Sequence, residues 1–358
     1  MFFNRHPFSS LTDLIILGSS LRNKRLEAFW MFKHKDFLMC LLLLMVVLTG
    51  CGKETVKDKE EVSETTEQKA TATETAKWPR TYTDGLGKEI VIEQQPKRLA
   101  SLWFFYPEIL AALDETPVGT TEKEFLSTLS YLEGKLDTTE ELGEKTAPDI
   151  EKLLSTQPDI ILATEHQQKI YDALVKVAPV VTLNSADIFN DWQYGLREVA
   201  KVIGKEDKAE AVIEQMMSNI SVGRTDLAKL KEESIALIVS WDGKTFNVLG
   251  EDSPIYTLAF DKERGLGLTP DDGFTGTSDE FASFEGISSI TADHIFLIGD
   301  ITKKDKLIQD IEESQVWNNL NAVQKDNVYM MDTSALTAGP LAIQYALDNM
   351  ITALQNTK

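Results

Sequence analysis

One thiol in the chain is placed to become an N-terminal nucleophile: Cys51, which closes the tetrapeptide Leu48-Thr49-Gly50-Cys51. Ahead of it runs an apolar stretch, Phe37 to Leu48, too short to span a bilayer as a helix but long enough for the h-region of a secretory signal. A basic n-region, Lys33-His34-Lys35, precedes that stretch. The small residues Thr49 and Gly50 leave room for a peptidase, and the thiol freed by cleavage could carry a lipid. The only other cysteine is Cys40, inside the signal, so the chain beyond residue 51 has no thiol. Disulfides and thiolate metal sites are thereby excluded from it.

The remaining residues with useful chemistry fall just after apolar runs. In the first half they are Trp103-Phe104-Phe105-Tyr106, Glu122-Lys123, Glu165-His166-Gln167 and Asn184-Ser185; in the second, Trp241-Asp242-Gly243-Lys244, Asp300-Ile301-Thr302 and Thr333-Ser334. Four consecutive aromatics cannot all face one core from a strand end, so some are expected to line a surface or cleft. Catalysis is disfavoured. Beyond the signal only His166 and His294 remain, and no G-x-S-x-G, Gly-rich phosphate loop or H-E-x-x-H is present. A site for free zinc or manganese would gather several His and carboxylates, which this chain does not offer. Neither catalytic residues nor a cofactor is expected.

The elements that must position these residues alternate. Apolar, strand-like runs at Leu99 to Trp103, Thr116 to Thr120, Asp159 to Ala163 and Val180 to Leu183 are separated by helical patterns near Pro107 to Leu113, Pro148 to Leu154 and Gln168 to Val177. Such alternation predicts an α/β fold with a parallel sheet covered on both faces. It stops over Asp191 to Lys231, which reads as two helices broken at Ile203-Gly204-Lys205. In the second, Ala209, Ile213, Met216, Ile220, Gly223, Leu227 and Leu230 form one stripe. A helix from Glu206 to Lys231 would be roughly 40 Å long, enough to run past two small domains; the alternative is a coiled-coil seam. Strand and helix then resume from Ile235, with Thr269 to Ser283 as a loop. The expected organisation is a leader and signal over 1–50, a lipidated Cys and tether over 51–77, a first α/β lobe over 78–190, a helical connection over 191–233 and a second lobe over 234–358. A ligand would lie between the lobes, beyond the carboxyl ends of the strands. The candidate contacts are Trp103, Phe104, Phe105, Tyr106, Lys123, Glu165, His166, Trp241, Lys244, Asp300 and Thr333.

The sequence has 36 Lys and Arg against 57 Asp and Glu; without residues 1–50, which hold 6 and 3, the balance is 30 against 54, a net charge of −24. Nucleic acid is disfavoured as a partner. Residues 52–77, almost all Lys, Glu, Thr, Ser, Gln and Ala, cannot bury a core and would act as a tether reaching about 25 to 30 Å. The stretch ending at Cys51 resembles the lipobox of bacterial lipoproteins, which implies cleavage before Cys51, lipid on its sulfur and attachment to the outer face of the cell membrane. Translation from Met31 would give a signal of ordinary length, so residues 1–30 are read as upstream sequence.

From residue 78 onward the chain resembles the helix-linked class of periplasmic-type substrate-binding proteins, in its iron-siderophore branch. The resemblance rests on Thr83-Asp84-Gly85-Leu86-Gly87-Lys88-Glu89 with Gln95-Pro96-Lys97-Arg98-Leu99, Glu151 to Leu162, Ala178-Pro179-Val180-Val181, and Trp317 to Val323 with Asn327-Val328-Tyr329. It implies two Rossmann-like lobes joined by one long helix, a ferric siderophore in the cleft and delivery to an ABC permease; a monomer is expected. It also implies an acid on each lobe's rim for permease docking: Glu108 in the first lobe, and Glu251 or Asp261 in the second. Haem is the competing ligand, with His166 and Tyr106 as axial candidates; a scaffold using the long helix to dimerise is the competing role. The strand ends carry no arginine and many aromatics, which favours a hydroxamate or mixed-chelate siderophore over a tris-catecholate.

Overall fold

The computed structural model describes residues 78–357 apart from 274, 275, 282 and 283. Cys51, the tether and the two alternative starts lie outside the described residues, as does part of the 269–283 loop. Two antiparallel strands, β1 (Arg80–Thr83) and β2 (Glu89–Ile92), open the fold. Asp84 closes their turn, its Oδ1 accepting from the amides of Leu86 and Lys88, both at 2.9 Å. Gly85 then donates to the Thr182 carbonyl at 2.7 Å. A Cβ at Gly85 would sit 3.0 Å from that oxygen, so only glycine allows the approach.

The first lobe holds β3 (Leu99–Ser101), β4 (Gly119–Thr120), β5 (Glu140–Glu141), β8 (Ile160–Thr164) and β9 (Val180–Leu183), with a small hairpin of β6 (Gly143–Glu144) and β7 (Ala147–Pro148) beside them. The sheet order is β5-β4-β3-β8-β9 and every pair is parallel. Side-chain alternation covers both faces: Ile160 and Leu162 enter one buried cluster, Ile161 and Ala163 the other. The second lobe runs β13-β11-β10-β14-β15. Here β10 (Ser234–Val239), β14 (His294–Gly299) and β15 (Val328–Asp332) are parallel, while β11 (Phe246–Val248) and β13 (Asp279–Phe281) are antiparallel, and β12 (Thr269–Pro270) adds a short pairing on β10. The antiparallel hairpin of β10 and β11 makes this sheet mixed, where the first-lobe sheet is parallel throughout.

The helices that frame the lobes and the seam include α1 (Phe105–Ala112), α2 (Ile150–Ser155), α3 (Trp192–Ile203), α4 (Glu206–Asp226), α5 (Pro254–Phe260), α6 (Lys304–Glu312) and α7 (Pro340–Gln355), with further short ones between them. Asp191 starts α3 by accepting from the amides of Gln193 and Tyr194, and Gly204, with φ of 72°, ends it. The long helix is shorter than the pattern predicts, because α4 stops at Asp226 and a 3-10 turn, Ala228–Leu230, finishes the stripe. It still links the lobes. Ala209 and Ile213 lie in the first-lobe cluster, and Met216, Ile220, Leu227 and Leu230 in a second-lobe cluster. A Cβ at Gly223 would fall 2.5 Å from Ile351 and 2.9 Å from Leu266. The stripe is therefore consumed inside the molecule, which removes the basis for a coiled-coil dimer seam. Among the described residues no helix is long and apolar enough to cross a membrane.

Below the second sheet, at the end away from its carboxyl edge, Asp293 ties three segments. One oxygen accepts from Lys325 at 2.9 Å and Asn321 at 3.0 Å, the other from the Ser234 amide at 3.0 Å. The Lys325 hydrogen bond, then the Ser234 amide, hold its pKa down at about 2. A depressed carboxylate contributes stability above its unfolded pKa and loses it as pH falls through the folded value. Asp293→Ala is expected to cost about 2 kcal/mol at pH 7 in urea unfolding, and the loss should shrink towards pH 2.

Candidate functional site

Both sheets direct their carboxyl edges to one seam. Beyond β15 the chain enters a 3-10 turn, Thr333–Thr337, capped by Asp332, which accepts from the Ser334 amide at 2.9 Å. This turn meets the first lobe at Tyr131, whose hydroxyl donates to the Ser334 carbonyl at 3.1 Å and lies 2.7 Å from Thr337 Oγ1. Next in the chain, Ala338 is buried in the first-lobe cluster and Leu341 packs against it.

At the first lobe's carboxyl edge an aromatic and cationic stack is assembled from three segments. Trp103 follows β3, and His166 lies in a 3-10 turn that follows β8; their rings are parallel within 5° at 4.4 Å. Lys145, at the tip of the β6–β7 hairpin, places Nζ 4.8 Å from the Trp103 ring centre and 5.9 Å from that of Phe104. Gln167 locks the arrangement, its amide donating to the Leu102 carbonyl at 3.1 Å and the Lys145 carbonyl at 2.6 Å. The turn is fixed by a capping box between Thr164 and Gln167. Burial lowers the His166 pKa, and Lys145 acts in the same direction against Glu165. The imidazole is neutral at pH 7 and half-exposed, beside one ammonium.

Two buried polar atoms at this edge have no protein partner: Trp103 Nε1 and Thr121 Oγ1, one residue beyond β4. A buried donor without a partner costs on the order of 1–3 kcal/mol. Such atoms are rare enough in folded proteins to mark a place where function outweighs stability.

Several sequence expectations need correction. All four aromatics are buried, where some were expected to line a surface. The strand ends at Ser101 and α1 begins at Phe105, and this turn lets all four enter one buried cluster, with the rings of Trp103, Phe104 and Phe105 4.3 to 6.0 Å apart. Phe104 meets Phe125, Phe105 meets Phe189, and the Tyr106 hydroxyl donates to the Ala163 carbonyl. Tyr106 is thus committed to its own lobe and cannot join His166 as an axial ligand. Lys123 is turned away too, donating to the Thr139 carbonyl at 2.6 Å. Glu165, which accepts from the Ser185 amide at 2.9 Å, and Asp300, which pairs with Lys303 at 2.5 Å, remain partly exposed at the carboxyl edges where they were expected. Glu108 is 0 % exposed, enclosed between α1 and the start of α7, and so does not stand on an outer rim. Asp261 pairs with Arg264 at 3.2 Å at the end of α5, while Glu251 is exposed.

The second-lobe edge is more open. Trp241 is 36 % exposed and Ile301 45 %, Lys244 is exposed and Thr333 half-buried. Lys145 escaped the sequence reading because the two-residue strands beside it carry no period to detect. Among the described residues no group of three or more His, Cys, Asp or Glu side chains is arranged to hold a metal ion.

A family model for the periplasmic binding protein matches residues 99–335. The chain belongs to the periplasmic binding protein family. Within it, a probable siderophore-binding lipoprotein of Bacillus subtilis is 26 % identical over 342 residues, covering 92 % of this chain and all of the relative. The iron(3+)-hydroxamate-binding protein of the same organism is 28 % identical, covering 81 % of this chain and 88 % of the relative. Among solved structures, a siderophore-binding protein of Vibrio cholerae bound to ferric Desferal superposes with a TM-score of 0.63 at 19 % identity, covering 73 % of this chain and 98 % of the other. This periplasmic binding protein therefore shares its two-lobed α/β fold with solved relatives, and its seam lies where open α/β sheets receive ligands.

Proposed function

We propose that the protein binds a ferric siderophore outside the cytoplasm and hands it to a membrane ABC permease for iron uptake, without catalysis. The observation that carries this reading is the stack of Trp103, His166 and Lys145 at the carboxyl edge of the first sheet, in a chain whose full-length relatives are named for binding iron chelates. The protein acts as a monomer held to the outer face of the membrane through lipid on Cys51, with residues 52–77 as its tether. Its working units are the lobes at 78–190 and 234–358 and the helical connection between them.

The ligand-facing set becomes Lys145 and His166 in the first lobe, held on the buried Trp103 ring, and Trp241, Lys244 and Thr333 in the second. Glu251 is the second-lobe acid best exposed for permease docking. One ammonium over an aromatic platform suits a chelate of low net charge, by cation–π attraction and apolar contact. A tris-catecholate, strongly anionic, would need several cations making charge-assisted hydrogen bonds. Lys123 is committed to a carbonyl and Lys303 to Asp300. Ferrioxamine or ferrichrome is expected to bind at least about tenfold more tightly than ferric enterobactin, a difference of about 1.4 kcal/mol. Equilibrium dialysis of the purified protein against the three chelates checks this. Preference for the enterobactin complex would overturn the hydroxamate assignment.

A further inference from the structure

Glu108 is a carboxyl group of the first lobe that meets a helix start in the second. Its Oε2 accepts from the Ala342 amide at 3.4 Å, in the first turn of α7. The N-cap residue of that helix is Gly339, which has no side chain to do this itself. The fit is close. A Cβ at Gly339 would come within 2.3 Å of Oε2, so glycine is what admits the carboxyl group. The hydroxyls of Thr337 and Tyr131 lie beside Glu108 and favour its ionised form, while Oε1 has no hydrogen-bond partner.

We propose that Glu108 is a proton-sensitive latch between the lobes, holding the α7 start against the first lobe while protonated and loosening the seam when it ionises. Ionised carboxylates are ordinarily welcome at a helix N-terminus. Here burial outweighs the Thr337, Tyr131 and Ala342 hydrogen bonds, and the Glu108 pKa is pushed up to about 7. No charged side chain offsets that burial. The titratable neighbours across the seam are Tyr131 and, beyond it, Asp332 and Tyr345. On α3, which also packs on α1, Arg197 pairs with Glu210, Glu198 holds Tyr82 and Lys201, and Tyr194 is half-buried. Lys205 and Lys208 reach only the far end of α1, at Leu113 and Asp114.

The sign follows from linkage. A carboxyl group whose pKa is raised in the closed seam favours closure fully below its solvated pKa and loses that contribution as pH rises through the closed-state value. With a solvated pKa of 4.5 and a closed-state value of about 7, the ratio of open to closed seam rises by about 30-fold between pH 5.5 and 8.5. The device acts on lobe contact and goes beyond the ligand reading, so its test contains no ligand.

Hydrogen exchange at residues 341–343 and 130–132 of the purified protein, corrected for intrinsic rates, is to be compared at pH 5.5 and 8.5 with that of Glu108→Gln. Wild type should lose at least about tenfold in protection at the higher pH, within the ceiling set by its titration; the Gln variant, similar in size and unable to ionise, should hold its protection and melt above wild type at pH 8.5. Gly339→Ala, which displaces the carboxyl group, should lose protection at both pH values. Superimposable wild-type and Gln profiles would overturn the latch, as would a melting difference with flat exchange at the seam or unchanged protection in Gly339→Ala.

Discussion

Lys145→Glu is expected to weaken ferric-chelate binding by about 100-fold while leaving the fold intact. The substitution removes a charge-assisted contact, on the order of 1.5–3 kcal/mol, and puts a like charge against the chelate's donor oxygens. Its structural cost is small, since Lys145 Nζ makes cation–π contacts at 4.8 and 5.9 Å, worth about 0.5–1 kcal/mol at a partly exposed site. Titration calorimetry against ferrioxamine, with circular dichroism melting alongside, separates the two. Unchanged affinity would remove Lys145 from the site, and a collapsed melting curve would make it a structural residue.

Trp103→Ala should have the larger effect on stability. The indole is 0 % exposed and touches Phe104, Phe105 and His166 with ring centres 4.4 to 6.0 Å away. Deleting such a side chain costs about 3–5 kcal/mol. The platform under Lys145 and His166 goes with it, so chelate affinity should fall by more than in the Lys145 variant. Trp103→Phe keeps a ring in place and removes the unpartnered Nε1 donor. Its unfolding free energy in urea should stay within about 1.5 kcal/mol of wild type, the range of a well-tolerated core exchange. A Phe variant as unstable as the Ala variant would show that the stability comes from the indole edge rather than from a ring in this place.

What the sequence revealed divides along physical lines. Long apolar runs bounded by turn residues located β3, β8, β9, β10 and β14, because strands buried on both faces are continuous stretches of Ile, Leu, Val and Ala. The stripe from Ala209 to Leu230 was legible because it is buried throughout. Its partners were not legible, since Ile351 and Leu266 come from distant segments. Two-residue strands such as β5, β6 and β7 carry no period to detect, and with them went Lys145. The burial of Glu108 was hidden for a related reason. An acid in the first turn of a helix is ordinary local chemistry, and only the approach of Gly339, more than two hundred residues later, encloses it. The four aromatics were correctly placed at a strand end, but their directions depended on α1 starting at Phe105.

Binding of a ferric siderophore at the seam is tested most directly by titrating the purified protein with ferrioxamine, ferrichrome, haemin and cobalamin while following tryptophan fluorescence. Trp103 and Trp241 lie at the two carboxyl edges, so a ferric siderophore held between the lobes should quench emission saturably at one equivalent. Haemin and cobalamin should leave only the linear loss due to their own absorbance. Saturable quenching by haemin or cobalamin alone, or no saturable response to either ferric siderophore, would contradict the proposed function.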